Sequence, residues 1–189
     1  MKDIVNLLFE AAFLKKLPRS GYLFLGMGHE SVADHSFLTA FIGWVLSRIV
    51  PEADASRLLP MCLLHDLPEA RLGDLNYVQK EYVMPDENKA LSDLVADLPI
   101  GSGIRDLLDE FNTASSLEAR LAHDADQLAF LLELKCLADQ GYQPPHKWMP
   151  HVRQRIHTDV GRKLAATIVD QDSDTWWLKN IIDRADLKK

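Results

Sequence analysis

A histidine and an aspartate stand side by side at the end of an apolar run, as His65 and Asp66 after Met61-Cys62-Leu63-Leu64. A carboxylate beside an imidazole is costly to bury unless something compensates it, and a divalent cation compensates both groups. Two structural alternatives need no metal: a core histidine oriented by the neighbouring carboxylate, or a polar pair that faces water at a helix end. The dipeptide alone favours these alternatives, so the case for a metal depends on further ligands.

Two more ligand-type side chains lie among apolar neighbours on other predicted helices. His35 falls in the first turns of one helix, with Leu38 and Thr39 at helical spacing. Asp126 falls in the middle of another, where its neighbours three and four residues away are mostly apolar. Helical periodicity therefore predicts that Asp126 is the buried aspartate of this helix and that Asp124 is not.

Together these side chains offer two imidazoles and two carboxylates. The candidate ligands are His35, His65, Asp66 and Asp126. A mixed nitrogen and oxygen set suits one divalent ion such as Mn, Fe, Co or Ni, with positions left open for water. The only two cysteines, Cys62 and Cys136, exclude a thiolate-rich zinc site by their positions, and no disulfide is predicted.

Helical periodicity runs through most of the chain, and no segment shows the period-two alternation of strands. Ser31 with Asp34, and Ser115 with Glu118, are typical of helix N-terminal caps. Helices are predicted at 3–16, from Ser31 to near Pro51, and at about 56–67, 87–98, 102–112, 116–139, 148–170 and 175–185. The helix at 56–67 is apolar on nearly all sides, which predicts burial in the middle of the domain, and residues 68–86 are expected to be irregular. The predicted fold is all-α.

The composition limits the classes of function. A chain of 189 residues suits one domain, here expected to span 1–189 with its core motifs in about 5–140 and further helices in about 148–185. The formal charge of -7 opposes binding to a nucleic acid polymer, whereas a small phosphorylated ligand needs only one local cation or a metal. No apolar stretch is long enough to cross a bilayer, and the N-terminus lacks a signal-peptide pattern. We therefore predict a cytoplasmic protein without a membrane partner.

The order of these ligand candidates resembles the HD superfamily of metal-dependent phosphohydrolases, which is named after the His-Asp dipeptide. The surrounding segments are similar to a small subgroup that includes bacterial 5'-deoxynucleotidases. The segments that carry the resemblance are Arg19-Ser20-Gly21-Tyr22, Glu30 to Ser36, His65 to Ala70, Gly73-Asp74 and Glu118 to Asp126. They cover roughly residues 5 to 140 and are specific as a set.

The resemblance implies a compact helical bundle that holds one divalent metal through the four candidate ligands. A metal-bound water would then attack the phosphorus of a small phosphorylated substrate, in the first place a (deoxy)nucleoside 5'-monophosphate. The implied enzyme is an HD-type, 5'-nucleotidase-like phosphomonoesterase.

The same resemblance gives roles to four more residues. Glu69 and Asp74 match acidic residues for proton transfer and water positioning, and Arg19 matches an arginine that contacts the substrate. Tyr22 stands where close relatives tend to carry Trp, so it either stacks on a base or sugar or anchors the loop. Glu69 lies one turn beyond the His-Asp pair if the helix continues, and reaches the site from a loop if Pro68 ends that helix.

Other functions stay open at this point. A dinuclear HD enzyme would need more histidines than His123, the only one between Asp66 and Asp126, and larger HD nucleotide hydrolases carry domains that are missing here. An HD enzyme for another nucleotide or phosphate ester and a non-catalytic metal- or nucleotide-binding module are the alternatives. A homodimer is possible through helix 116–139 or Trp176-Trp177, although both could equally pack within the chain. The histidines after residue 140 receive no role.

Overall fold

The chain folds into a bundle of α-helices. The computed structural model describes residues 1–186, apart from the side chains of Asn180 and of residues 182–186. Within that range there are twelve α-helices and no strand. They are α1 (Lys2–Phe13), α2 (Tyr22–Leu25), α3 (Val32–Ile49), α4 (Ala55–Leu64), α5 (Glu69–Leu72), α6 (Tyr77–Tyr82), α7 (Glu87–Val95), α8 (Gly101–Thr113), α9 (Leu117–Asp139), α10 (Pro144–Gln154), α11 (Asp159–Asp170) and α12 (Thr175–Asp186). The predicted all-α bundle is confirmed.

Helix α9 is the centre of the bundle. Five helices pack against it: α3, α4, α8, α10 and α11. Its buried apolar side chains include Ala119, Leu121, Ala122, Ala125, Leu128, Ala129, Leu131 and Leu134. The apolar surface of this helix therefore packs within the chain. Helix α4, which its composition predicts to be the central one, packs on α3, α8 and α9 but leaves Leu63 55% exposed.

Close packing of α3 on α4 sets the distance between the two helices. A methyl group added at Gly43 would lie 2.6 Å from the Sγ atom of Cys62, so the absence of a side chain at Gly43 permits this approach. The start of α3 is fixed by the predicted capping box, in which the Ser31 hydroxyl accepts a hydrogen bond from Asp34 N–H and the Asp34 carboxylate accepts one from Ser31 N–H. His35 thereby holds a defined place in the first turns of α3.

Three local predictions need correction. The cap of α9 is Ser116, whose hydroxyl accepts a hydrogen bond from Ala119 N–H, and not Ser115. The irregular segment 68–86 contains the short helices α5 and α6. The predicted helix 148–170 is two helices, because Thr158 caps a new helix with its side chain.

The prediction for the two aspartates of α9 is also wrong. Asp124 is fully buried, and its carboxylate accepts hydrogen bonds from the backbone N–H groups of His157 (2.6 Å) and Thr158 (3.0 Å) and from the Thr158 hydroxyl. The Asp126 side chain keeps one fifth of its surface exposed. Because α9 has neighbours on several sides, the apolar neighbours of Asp126 did not identify one inward face.

Candidate metal centre and substrate cavity

Three helices bring two histidines and an aspartate together. His35 comes from the start of α3, His65 follows the last residue of α4, and Asp126 lies in the middle of α9. One ligand atom from each lies within 4.8 Å of the others. The Nε2 atom of His35 is 2.9 Å from Oδ1 of Asp126.

Asp66 joins this group from the turn after α4. Its Oδ2 atom lies 3.1 Å from Nε2 of His65 and 3.8 Å from Nε2 of His35. The guanidinium of Arg19 donates a hydrogen bond to the same oxygen at 3.2 Å. Asp66 thus lies beside both imidazoles, next to the group formed by His35, His65 and Asp126.

The donor atoms at this point fit a divalent ion. Nδ1 of His65 is 3.0 Å from the Cys62 carbonyl oxygen, which can only accept, so Nδ1 carries a hydrogen. When the ring is neutral, as a metal ligand must be, Nε2 therefore presents its lone pair. Among the described residues, this buried Nε2 makes no regular hydrogen bond, although Oδ2 of Asp66 lies 3.1 Å away. Two imidazole nitrogens and two carboxylates make a donor set for Mn, Fe, Co or Ni.

The charges of the group favour a cation. Burial opposes ionisation of Asp126, but the hydrogen bond and charge of His35 and the charge of His65 hold its pKa well below the usual range. Burial likewise opposes a charged His65, yet the Asp66 carboxylate raises the pKa of His65 to about 9. Without an ion, the group therefore keeps its carboxylates charged and His65 protonated. A bound metal would replace that proton.

Glu69 reaches the group from the start of a separate short helix. Helix α4 ends at Leu64, and Pro68 stands at the N-terminus of α5, so the helix does not continue to Glu69. Burial, and the nearby charges of Asp66 and Asp74, raise the pKa of Glu69 to about 9. This carboxyl group therefore holds a proton at neutral pH. Its buried Oε2 has no partner among the described residues.

Asp74 holds the loop that carries Arg19. Its Oδ2 atom accepts a hydrogen bond of 2.6 Å from the backbone N–H of Ser20. The loop thus has a fixed position beside the ligand group. Asp74 also lines a cavity next to this group, together with Arg19.

A buried glutamate supports the loop from the other side. Glu30 lies with Oε2 3.9 Å from Nε of Arg19 and accepts a hydrogen bond of 3.3 Å from the Tyr22 hydroxyl. Burial raises the pKa of Glu30 to about 7, although the charge of Arg19 opposes the shift. Tyr22 is buried with its hydroxyl engaged, and a methyl group at Gly28 would lie 2.9 Å from its ring. These contacts make Tyr22 an anchor of the loop, while part of its side chain lines the cavity.

Two cavities meet at the ligand group. One, of about 320 Å3, is lined by Arg19, Asp66, Asp126 and Gln127 and continues to Phe130 and Trp148. The other, of about 420 Å3, lies on the His65 side and extends towards α7 and α8. Both volumes are in the range of small-molecule sites, which is about 300–1,000 Å3.

A convergent, buried histidine and aspartate group on a helical bundle is the arrangement that the sequence resemblance implies. A comparison with protein families matches the HD domain to residues 11–168. This chain belongs to the HD-domain family. The predicted family is confirmed.

Curated HD-domain relatives carry a nucleotidase name. The 5'-deoxynucleotidase HDDC2 of Dictyostelium discoideum is 28% identical over 169 residues, which cover 80% of this chain and 89% of that protein. The protein of the same name from Homo sapiens is 27% identical over 137 residues, covering 69% of this chain and 66% of that protein. The chain therefore spans about two thirds of the human relative.

Solved structures share the HD-domain bundle. A protein of Pyrococcus horikoshii OT3 is 27% identical, with a TM-score of 0.73 over 88% of this chain and 98% of that one. A structure from Magnetospirillum magnetotacticum MS-1, described as a predicted metal-dependent phosphohydrolase, is 24% identical with a TM-score of 0.70, over 89% of this chain and 90% of that one. The second likeness concerns the fold alone.

The structure places the predicted site residues close together, along with several residues that were not predicted. The predicted ligands and Arg19, Tyr22, Glu69 and Asp74 lie at the ligand group or on the cavity wall. Sequence reasoning assigned no role to Glu30, Gln127, Phe130, Trp148 and Arg155. Glu30 had a signal, since it directly precedes the capping Ser31 in the segment that carries the resemblance. Trp148 and Arg155 had none, because α10 approaches the site only in the folded chain.

Proposed function

We propose that this HD-domain protein is a metal-dependent phosphohydrolase that removes the phosphate from (deoxy)nucleoside 5'-monophosphates. The observation that carries the proposal is the group of two buried imidazoles with the carboxylates of Asp66 and Asp126, both of which line a cavity together with Arg19. The 5'-deoxynucleotidase relatives support a nucleotide as the substrate.

The ion site is proposed to hold one divalent metal such as Mn, Co, Fe or Ni. Its ligands are His35, His65, Asp66 and Asp126. When bound, such an ion lowers the pKa of a water molecule and neutralises charge on phosphoryl oxygens. The buried imidazoles restrict the ion to this one position.

Arg19 binds the substrate phosphate. Its guanidinium is oriented by Asp66 and Glu30. Burial opposes its charge, but the neighbouring carboxylates raise its pKa further, so it stays charged. Its remaining N–H groups can donate to two phosphate oxygens at once, which fixes the phosphorus above the ligand group. Arg19 thereby gives the phosphate a local positive charge in a chain whose net charge is negative.

Glu69 supplies a proton to the departing 5'-oxygen. In the ion-free protein the raised pKa of Glu69 keeps its carboxyl group protonated, which is the state that a general acid needs. As water adds to phosphorus, the bond between phosphorus and the 5'-oxygen breaks, the leaving oxygen takes this proton and the free nucleoside departs. The proton that the attacking water loses passes to solvent, and Glu69 takes up a proton again before the next turnover. Asp74 keeps the Arg19 loop in place during these steps.

A homodimer is part of the proposal. The apolar side of α9 is used inside the chain, whereas α3 exposes a row of aromatic side chains along one face. The row consists of Phe37, Phe41 and Trp44. A second copy of the chain covering this row with the same face would form a symmetric interface.

The cytoplasmic location stays a prediction. No helix in the described range has the length and hydrophobicity to cross a membrane.

Phosphate release tests the activity directly. Metal-stripped protein is supplied with Mn, Co, Ni, Fe, Mg or Zn and assayed on ribo- and deoxynucleoside 5'-monophosphates, nucleoside 3'-monophosphates and simple phosphate esters. We expect metal-dependent release from the 5'-monophosphates that is lost in His65→Ala. Release from other esters but not from nucleotides would overturn the substrate class. Silence with every metal, in protein that binds the metal tightly, would make the chain a binding module.

A further inference from the structure

The substrate cavity does not end at the ion site. Beyond Asp126 and Gln127, the same cavity is lined by Tyr77, Phe130, Trp148 and Arg155. These four residues, called here the aromatic subsite, also line an adjoining apolar cavity of about 400 Å3 under α10. A molecule bound at the ion site therefore has a continuous path along aromatic surfaces.

Phe130 ties the aromatic subsite to the ion site through one helix. It lies four residues after Asp126 on α9, so both side chains share a face about 6 Å apart along the helix axis. In a nucleoside monophosphate, one sugar ring separates the phosphate from the base. One helical turn separates the proposed phosphate position from Phe130, which matches that spacing.

The other members of the subsite have defined orientations. The rings of Phe130 and Trp148 meet edge to face with centroids 5.9 Å apart. The guanidinium of Arg155 lies 5.0 Å from the ring centroid of Tyr77. Trp148 also reaches the Arg19 loop, since a methyl group at Gly21 would lie 4.0 Å from its ring. The subsite thus offers ring faces together with N–H donors.

The second cavity at the ion site offers a different surface. Its aromatic side chain, Phe111, is buried and stacked on His123 with centroids 4.0 Å apart. Its lining carries Asp86 and Glu87 against one lysine, Lys80, so its acidic side chains disfavour a negatively charged ligand. A planar ring attached to a phosphate is better matched by the aromatic subsite.

We propose that Tyr77, Phe130, Trp148 and Arg155 form the subsite for the base of the nucleotide. This inference rests on the proposed function, because the phosphate at the ion site sets where the base lies. Stacking on aromatic side chains accepts every base, since each has a flat face, and Arg155 adds hydrogen bonds to ring nitrogens or carbonyl oxygens. The subsite therefore favours nucleotides over base-free sugar phosphates and discriminates weakly among bases.

The test compares a nucleotide with its base-free counterpart. The ratio of kcat/KM for thymidine 5'-monophosphate to that for 2-deoxyribose 5-phosphate is measured in the metal-loaded full chain. We expect the ratio to fall roughly 5- to 100-fold in Trp148→Leu and Tyr77→Ala, the usual effect of removing a stacking partner. Trp148→Phe keeps a ring and should restore most of the ratio.

Matched control variants exist on the same helices. Tyr82 is on α6 like Tyr77 and is 85% exposed, and Arg153 lies in the last turn of α10, two residues before Arg155, which caps that helix. Neither control residue lines the substrate cavity. Arg155→Gln should lower the ratio, whereas Tyr82→Ala and Arg153→Gln should not. An unchanged ratio in all three subsite variants would overturn the subsite and leave the phosphohydrolase in place.

A second measurement separates failure of the subsite from failure of the proposed function. Deoxynucleosides without phosphate are titrated into the protein, and binding is followed by calorimetry. Weak binding that disappears in Tyr77→Ala and Arg155→Gln supports the subsite even if no phosphate ester is hydrolysed. If nucleosides do not bind and no substrate is turned over, both the subsite and the proposed function are wrong.

Discussion

Asp124 and Asp126 are two residues apart on α9 and have different roles. Asp126 lies at the ligand group beside His35, and Asp124 accepts three hydrogen bonds from His157 and Thr158. We expect Asp126→Ala to abolish metal binding and turnover with little loss of stability. Asp124→Ala should keep the metal and lower the free energy of unfolding by about 3 kcal/mol, because it leaves buried N–H groups without acceptors. Metal titration and urea unfolding separate the two effects, and loss of the metal in Asp124→Ala would contradict the ligand assignment.

Glu69 is expected to act on the leaving group. Glu69→Gln keeps the shape of the side chain but cannot give up a proton, so turnover of a nucleotide should fall about 10²- to 10⁴-fold. The activity towards p-nitrophenyl phosphate should fall much less, because its leaving group needs no proton. Metal binding, measured by titration, should be retained. An equal loss on both substrates would contradict the role as a general acid.

Glu30 makes the stability depend on pH near neutrality. Its pKa is raised by burial to about 7, above the ordinary 4.5, so between these values the folded chain binds more protons than the unfolded chain. Its contribution to the free energy of unfolding therefore falls as the pH rises from about 4.5 to 7, by at most about 3 kcal/mol. Urea unfolding should give similar stabilities for the parent and Glu30→Gln at pH 5 and a more stable variant at pH 8. A difference that does not change with pH would contradict the raised pKa.

At the scale of elements, the contact of α3 with α4 determines how far His35 lies from His65. A side chain at Gly43 would overlap Cys62, which is fully buried. We expect Gly43→Ala to lower the free energy of unfolding by about 1–3 kcal/mol, as is usual for overpacked cores. Cys62→Ala made together with Gly43→Ala should recover part of that loss, since it vacates the space. Additive losses in the double variant would show that the two positions do not share this contact.

The elements also show what periodicity can predict. Amphipathic helices such as α1 and α8, and the Ser31 cap of α3, were predictable because their signals are local. The break between α10 and α11 was not, since it depends on Asp124, more than thirty residues earlier in the chain. The burial of Asp124 escaped prediction for the same reason. A helix with partners on several sides has no single apolar face to recognise.

At the scale of the whole molecule, the metal group and the rest of the cavity differ in how far they could be predicted. The four ligand candidates stand in segments that resemble the HD superfamily, and that resemblance implied that they lie together. The cavity wall contributed by α10 has no such pattern, and Trp148 and Arg155 gain their significance only from packing beside Phe130. A net charge of -7 predicted the absence of a polyanion site but said nothing about the cationic side chains that face this cavity.

The proposed homodimer also belongs to this scale. If a second copy covers the aromatic row of α3, light scattering should give twice the chain mass of 21.4 kDa. Phe41→Glu with Trp44→Glu would place charges in that interface, so the double variant should be a monomer. At a protein concentration low enough to dissociate the parent as well, the two proteins should unfold at the same urea concentration. Trp177→Glu, in the exposed part of α12, is the matched control and should leave the dimer intact. Dissociation by Trp177→Glu alone would place the interface on α12, and a parent chain that is monomeric at all concentrations would exclude the dimer. Neither Phe41 nor Trp44 lines either cavity at the ion site. A change in nucleotide turnover when the dimer dissociates would therefore show that each copy influences the site of the other.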